Sequence, residues 1–296
     1  MKSWMGTGGA ALSFALWGLL PLYYQFMPEV NMWELLSHRV LWSVVLLALL
    51  FALFGQRLPW ERLRQEPRQL CLILLAGPIM SVSWCMFTWC LTTGQVLATS
   101  LAFFMTPLFN IAFAVLFLGE RLTPQKHLAV ALALAGLAYM LFSYGQLPWF
   151  SLIMGANFAL YGLLKKKVHY EASTSLYLES LVQLPLALLF IGWITWQGQG
   201  TFMQGDWGDR LLLMGSAPAT LLPVGLFCYA VLRTRMSTVG LLQYIEPTLA
   251  FLLAIFWFKE LPDPVKMVGF VFVWAGLLVS LLPLHKLRRG KRYASE

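Results

Sequence analysis

The sequence predicts an all-α polytopic membrane protein: ten transmembrane helices arranged as two inverted-topology repeats of five. Three observations carry that expectation. The chain is 59% hydrophobic and only 11% charged, where a soluble domain carries about 25% charged residues. A water-soluble fold of this composition would have to expose large apolar patches. Ten apolar stretches approach the length of about 20 residues that crosses a bilayer. Finally, one segment is written twice, 140 positions apart.

The duplicated segment runs from Ser100 to Phe142 and again from Gly240 to Leu282. Laid over each other without a gap, the copies match at Leu101/Leu241, Pro107/Pro247, Ala114/Ala254, Glu120/Glu260, Pro124/Pro264 and Lys126/Lys266. They match again at Ala135-Gly136-Leu137 and Ala275-Gly276-Leu277. A second echo pairs Phe14 to Leu20, including Trp17-Gly18, with Phe158 to Leu164, including Gly162, at an offset of 144. Both prolines, the Glu and the Gly keep their spacing together, which marks a duplicated unit. The expected division is residues 1–145 and 146–296, the second unit ending in a basic tail.

Taken in order, the spans are expected at roughly 5–26, 33–55, 69–90, 97–118, 126–144, 148–164, 173–196, 210–231, 238–258 and 265–284. Each is bounded by polar or proline-bearing corners. Pro28, Pro59, Pro67, Pro124, Pro148, Pro262 and Pro264 fall in or beside loops, where a missing N–H costs least. The N-terminus carries one Lys and no small-residue cleavage signal, so it reads as a first span. All but four of the 21 Lys and Arg residues fall at the termini or in one set of alternate loops: the exceptions are Arg39, Arg210, Lys259 and Lys266. That set belongs in the cytoplasm, with both termini. Five spans per half is an odd number, so the second half enters the membrane from the opposite side. Inverted repeats of this kind favour transport. The net charge of +8 is thereby a topology signal near anionic lipid headgroups, and no nucleic-acid partner is expected.

Ionisable groups inside spans are costly and mark function. His38 and Arg39 lie one to two turns into the second span, Glu179 about two turns into the seventh, and Glu246 at a similar depth in the ninth, directly before Pro247. All four are candidates for a central cavity. Glu246 is the candidate for coupling, since a carboxyl in a region short of water can hold a proton or a cationic solute alternately. Pro107 and Pro247 each free a carbonyl one turn earlier and are read as helix breaks or hinges. Trp84, Phe103, Tyr161 and Tyr244, with Asn110 and Gln243 as polar handles, suit an apolar small-molecule pocket. Glu120 and Glu260 end spans four and nine, where each can cap the helix that follows. Trp4, Trp33, Trp60, Trp149 and Trp207 fall near the expected interfaces. Cys71, Cys85, Cys90 and Cys228 show neither metal nor disulfide spacing. No enzyme signature, catalytic group, metal cluster or cofactor motif is found.

Several of these features together resemble the EamA branch of the drug/metabolite transporter superfamily, and within it the RarD-type permeases. They are Trp17-Gly18, the span-four proline, Gly119-Glu120-Arg121-Leu122 before an Ala-Gly-Leu helix, His38-Arg39-Val40 with Trp42, Asn110, Phe158 to Gly162, Glu179, and Gln243-Tyr244-Ile245 with Pro247-Thr248. The resemblance covers essentially the whole chain. It implies an inner-membrane permease of two EamA repeats around a central cavity. The chain departs from the family's pattern at Ala102 to Pro107, at Ala98 and at Glu246. The expected function is secondary transport of a small organic solute, either as a gradient-coupled exporter with a proton as the candidate coupling ion or as a facilitator. A membrane-embedded enzyme or a lipid-handling protein without net flux is the alternative.

Overall fold

Prolines, capping residues and charged corners cut the apolar chain into helices in the computed structural model, which describes residues 2–27, 29–145, 149–261 and 263–281. Pro28, Pro148, Pro262 and the basic tail at 286–292 lie outside the described residues. No strand occurs among those described. The first repeat holds α1 (Lys2–Gly18), α2 (Leu20–Tyr24), α3 (Met32–Leu53), α4 (Trp60–Gln65), α5 (Pro67–Thr92), α6 (Val96–Leu118) and α7 (Pro124–Tyr144). The second holds α8 (Trp149–Lys167), α9 (Ala172–Trp196), α10 (Thr201–Gln204), α11 (Trp207–Arg233), α12 (Met236–Leu242), α13 (Ile245–Phe256) and α14 (Pro264–Leu281). Among the described residues, eight helical stretches are long and apolar enough to cross a bilayer, with α1–α2 and α12–α13 each counted as one. The shorter apolar helix α14 and the Lys-tipped α8 fill the remaining two expected positions.

Local chemistry sets the ends. The Asn31 side chain accepts from the Trp33 and Glu34 N–H groups at 2.8 and 3.4 Å, opening α3. Thr123 does the same for α7 through Lys126 N–H, and Asp206 and Asp209 form a capping box on α11. Helix α6 closes on Gly119 at φ +64°, and the equivalent residue 140 positions on, Lys259, takes φ +59°. The left-handed turn is kept although a side chain now has to bear it. The same closing bond follows in both repeats: Glu120 N–H to the Ala114 carbonyl at 3.0 Å, and Glu260 N–H to Ala254 at 2.9 Å.

The two prolines do not act alike, which corrects the expectation of matched helix breaks. Helix α6 passes through Pro107 unbroken. Side chains serve the carbonyls around it: Thr106 donates to Ala102 O at 2.7 Å and Tyr244 to Phe104 O at 3.1 Å. Span nine is interrupted at Gln243-Tyr244, so Pro247 sits in the first turn of α13. The Gln243 carbonyl that Pro247 leaves free accepts from the Glu246 N–H at 3.1 Å.

The repeats interlock. Helix α1 packs on α11 and α13 of the other half, and α8 packs correspondingly on α5 and α6. Three further pairings join helices at equivalent places in the two repeats: α3 with α9, α6 with α12, and α7 with α14. At the last of these, a Cβ on Gly136 would stand 3.1 Å from Gly269 O, and one on Gly276 would stand 2.9 Å from Ala129 O. Residues 129 and 269, like 136 and 276, are 140 apart, so one close contact is made twice. In lipid, association rests on such packing of small residues, because hydrocarbon offers no hydrophobic drive between helices.

Candidate functional site

Between the repeats lies a cavity of about 420 Å³. Its wall comes from the α1–α2 junction, the start of α3, the later turns of α5, the first turns of α6, Met154 of α8, and Glu246 and Ala250 of α13. The rings of Trp17, Tyr24, Trp84, Phe87 and Phe103 dominate the surface; Ser83, Thr99 and Thr106 add hydroxyls. The cavity is apolar with few polar handles, as small-molecule sites are.

Glu246 is the charged residue of this wall. Its carboxyl has no side-chain hydrogen bond or ion pair with any described residue. Its backbone is fixed from behind by Gly18, where a Cβ would meet Glu246 O at 2.8 Å and Leu249 Cβ at 2.8 Å. The Trp17-Gly18 pair thus has two uses: the glycine seats α13, and the indole faces the cavity.

Arg39 stands next to this space and outside it. Its guanidinium lies 4.0 Å over the Trp84 ring, a cation–π stack, beside Tyr24 and Cys85. Arg39 and Glu179 line one smaller cavity of about 70 Å³, which shares Met80 and Trp84 with the large one. The two occupy equivalent positions 140 apart in α3 and α9, yet they do not pair. Glu179 is taken by Lys165 Nζ at 2.6 Å and Ser175 Oγ at 2.6 Å. Lys165, expected as one cation of a topology run, is only 3% exposed. That sets Lys165 inside the fold, apart from the loop cations read as a topology signal.

Other expected site residues lie elsewhere. Asn110 donates to Gln243 Oε1 at 2.6 Å, buried between α6 and span nine, and Gly162 makes room for it: a Cβ there would be 3.3 Å from Asn110 Oδ1. Tyr244 is buried with its hydroxyl on Phe104 O. Tyr161 is packed in the core on Phe227 and borders only the smaller cavity. His38 stacks on Phe202 at 4.7 Å, with Nε2 3.7 Å from Glu34, and lines none of these spaces. Pro107 and Pro247 are buried and line neither cavity. Among the described residues no His, Cys, Asp and Glu group is arranged to hold a metal ion. Tyr24, Phe87, Thr99 and Thr106 are wall residues that sequence reasoning missed.

The side bearing the basic loops is tied shut. The Glu120 carboxylate accepts from Met236 N–H at 2.7 Å, Ser237 N–H at 3.1 Å and Ser237 Oγ at 2.6 Å. It therefore caps α12 of the other repeat, where capping of the following helix was expected; Thr123 fills that place. Lys126 Nζ donates to Ser237 and Thr238 at 2.9 and 2.7 Å, and Lys166 Nζ donates to Thr234 O at 2.6 Å. On the opposite side, Glu260 is exposed and makes no side-chain hydrogen bond among the described residues. It caps neither α14, whose Val265 N–H goes to Asp263, nor α6, which has no side-chain cap. The large cavity occupies this unlatched half.

The model of the EamA-like transporter family matches residues 4–142 and again residues 147–282. Protein RarD of Salmonella typhi is 35% identical over 282 residues, covering 95% of this chain and 96% of its own. An uncharacterized transporter of Vibrio cholerae serotype O1 is 36% identical over 289 residues, covering 95% of each. A solved crystal structure, 17% identical, superimposes with a TM-score of 0.66 over 93% of this chain and 96% of its own, a likeness of fold.

Proposed function

This chain belongs to the EamA-like transporter family, and on that premise we propose that it is a secondary transporter exporting a small organic solute from the cytoplasm. The solute occupies the cavity that holds Glu246, and access alternates between the two membrane faces. Residues 1–145 and 146–296 act as the two moving units, both termini lie in the cytoplasm of a bacterial inner membrane, and a proton is the coupling ion. The observation that carries this reading is the asymmetry of equivalent elements. Glu120 holds the basic side closed while Glu260, its counterpart, holds nothing, and the cavity lies on Glu260's side. Inverted repeats that adopt one arrangement each can exchange arrangements, which presents one site to both faces in turn. The basic loops support the assignment of the closed side to the cytoplasm.

The coupling role of Glu246 rests on its isolation: a carboxyl facing an apolar space, unpaired by any described cation, is a site where a proton and a solute compete. In liposomes, Glu246→Gln should lose the acceleration of transport that a pH gradient gives the wild type. An unchanged gradient response in folded, inserted protein would leave a facilitator.

A further inference from the structure

The charge pattern of the cavity goes one step further and names the class of solute, resting on the transporter reading above. We propose that the cavity takes a monovalent organic cation with an apolar, ring-sized body, such as an aryl-substituted ammonium. A carboxylate in an apolar space is disfavoured unless something compensates it. The described cations nearby are all committed elsewhere. Lys165 is held by Glu179 and Ser175, and Arg39 is stacked on Trp84, fronting the smaller cavity and not this one. The compensating charge therefore arrives with a proton or with the ligand, and a cationic ligand takes the proton's place.

The surroundings fit an organic cation better than an inorganic one. Trp17, Tyr24, Phe87 and Phe103 turn ring systems to the same space as Glu246, and ring faces attract a poorly hydrated cation. Three hydroxyls, Ser83, Thr99 and Thr106, are too few oxygen ligands to replace the shell of a metal ion, which needs six or more. An anion would meet the Glu246 carboxylate with no cation on the wall, and a dication would find one carboxylate where it needs two. A volume of about 420 Å³ accommodates a body with one or two rings.

The test is equilibrium binding to the purified full-length protein in nanodiscs, with benzyltrimethylammonium as probe. Its uncharged carbon isostere, neopentylbenzene, and the anion phenylacetate serve as competitors. Saturable cation binding is expected. It should weaken at least about tenfold in Glu246→Gln, in part only in Glu246→Asp, and a few-fold in Phe103→Leu, with melting temperatures retained. Neither competitor should displace the cation at equal concentration. Absence of saturable binding to wild type, equal binding by Glu246→Gln, or displacement by phenylacetate would overturn the solute class. The transporter reading fails separately: flux of some other solute would preserve it without this class, whereas cation binding with no solute flux would preserve the class and sink the transporter.

Discussion

Lys165 and Glu179 bury opposite charges 2.6 Å apart, with Ser175 bridging them. Removing one member leaves the other charged and desolvated, which costs about 3–5 kcal/mol, whereas an apolar replacement of both is close to neutral. Glu179→Gln should therefore lower the melting temperature in detergent clearly, and Lys165→Met with Glu179→Leu should recover most of it. Equal stability of the single variant and wild type would mean the pair is hydrated. Glu179 was legible in the sequence as a carboxyl inside a span. Lys165 was not, because three lysines at a span end look alike until the helix is packed. Its place one turn past Tyr161, on the buried face of α8, was the available signal. Glu246 was legible for the same reason as Glu179. The wall residues Tyr24, Phe87, Thr99 and Thr106 were not, since a helix apolar on all sides does not say which face meets a cavity.

Between elements, the decisive contact is the cap that Glu120 places on α12. Sequence order suggested the following helix as its partner, and nothing in linear spacing points to a helix of the other repeat. Glu120→Ala leaves the Met236 and Ser237 N–H groups without a partner, at a cost to the closed arrangement of about 1–2 kcal/mol. Opening on the basic side should rise roughly 5–30-fold. A cysteine at Val239, which is buried in the closed arrangement, would report it by thiol labelling from that side, with Cys71, Cys85, Cys90 and Cys228 replaced by alanine. An unchanged labelling rate would reduce Glu120 to an ordinary cap. The proline pair shows how equal sequence can serve unequal conformation. Pro107 is bridged by neighbouring side chains inside one helix, while Pro247 opens a new one.

At the scale of the molecule, the span limits and the duplication were readable because bilayer thickness and proline position act locally. Observed ends, such as Met32–Leu53 and Ala172–Trp196, fall within a few residues of those expected. The interlocking of α1 into the second repeat and α8 into the first was not readable, since apolar faces in lipid carry no address. The charge asymmetry predicts that a reporter active only in the periplasm stays silent when fused after Glu296; activity there would reverse the orientation and exchange the two faces. The most direct measurement is flux. Liposomes bearing the purified protein, loaded with a bacterial metabolite extract, would be followed by mass spectrometry of the internal pool against protein-free liposomes. Transport through the Glu246 cavity predicts saturable loss of at least one small organic solute, faster with an inward proton gradient, with that acceleration absent in Glu246→Gln. An internal pool that decays identically with and without the protein would contradict the account.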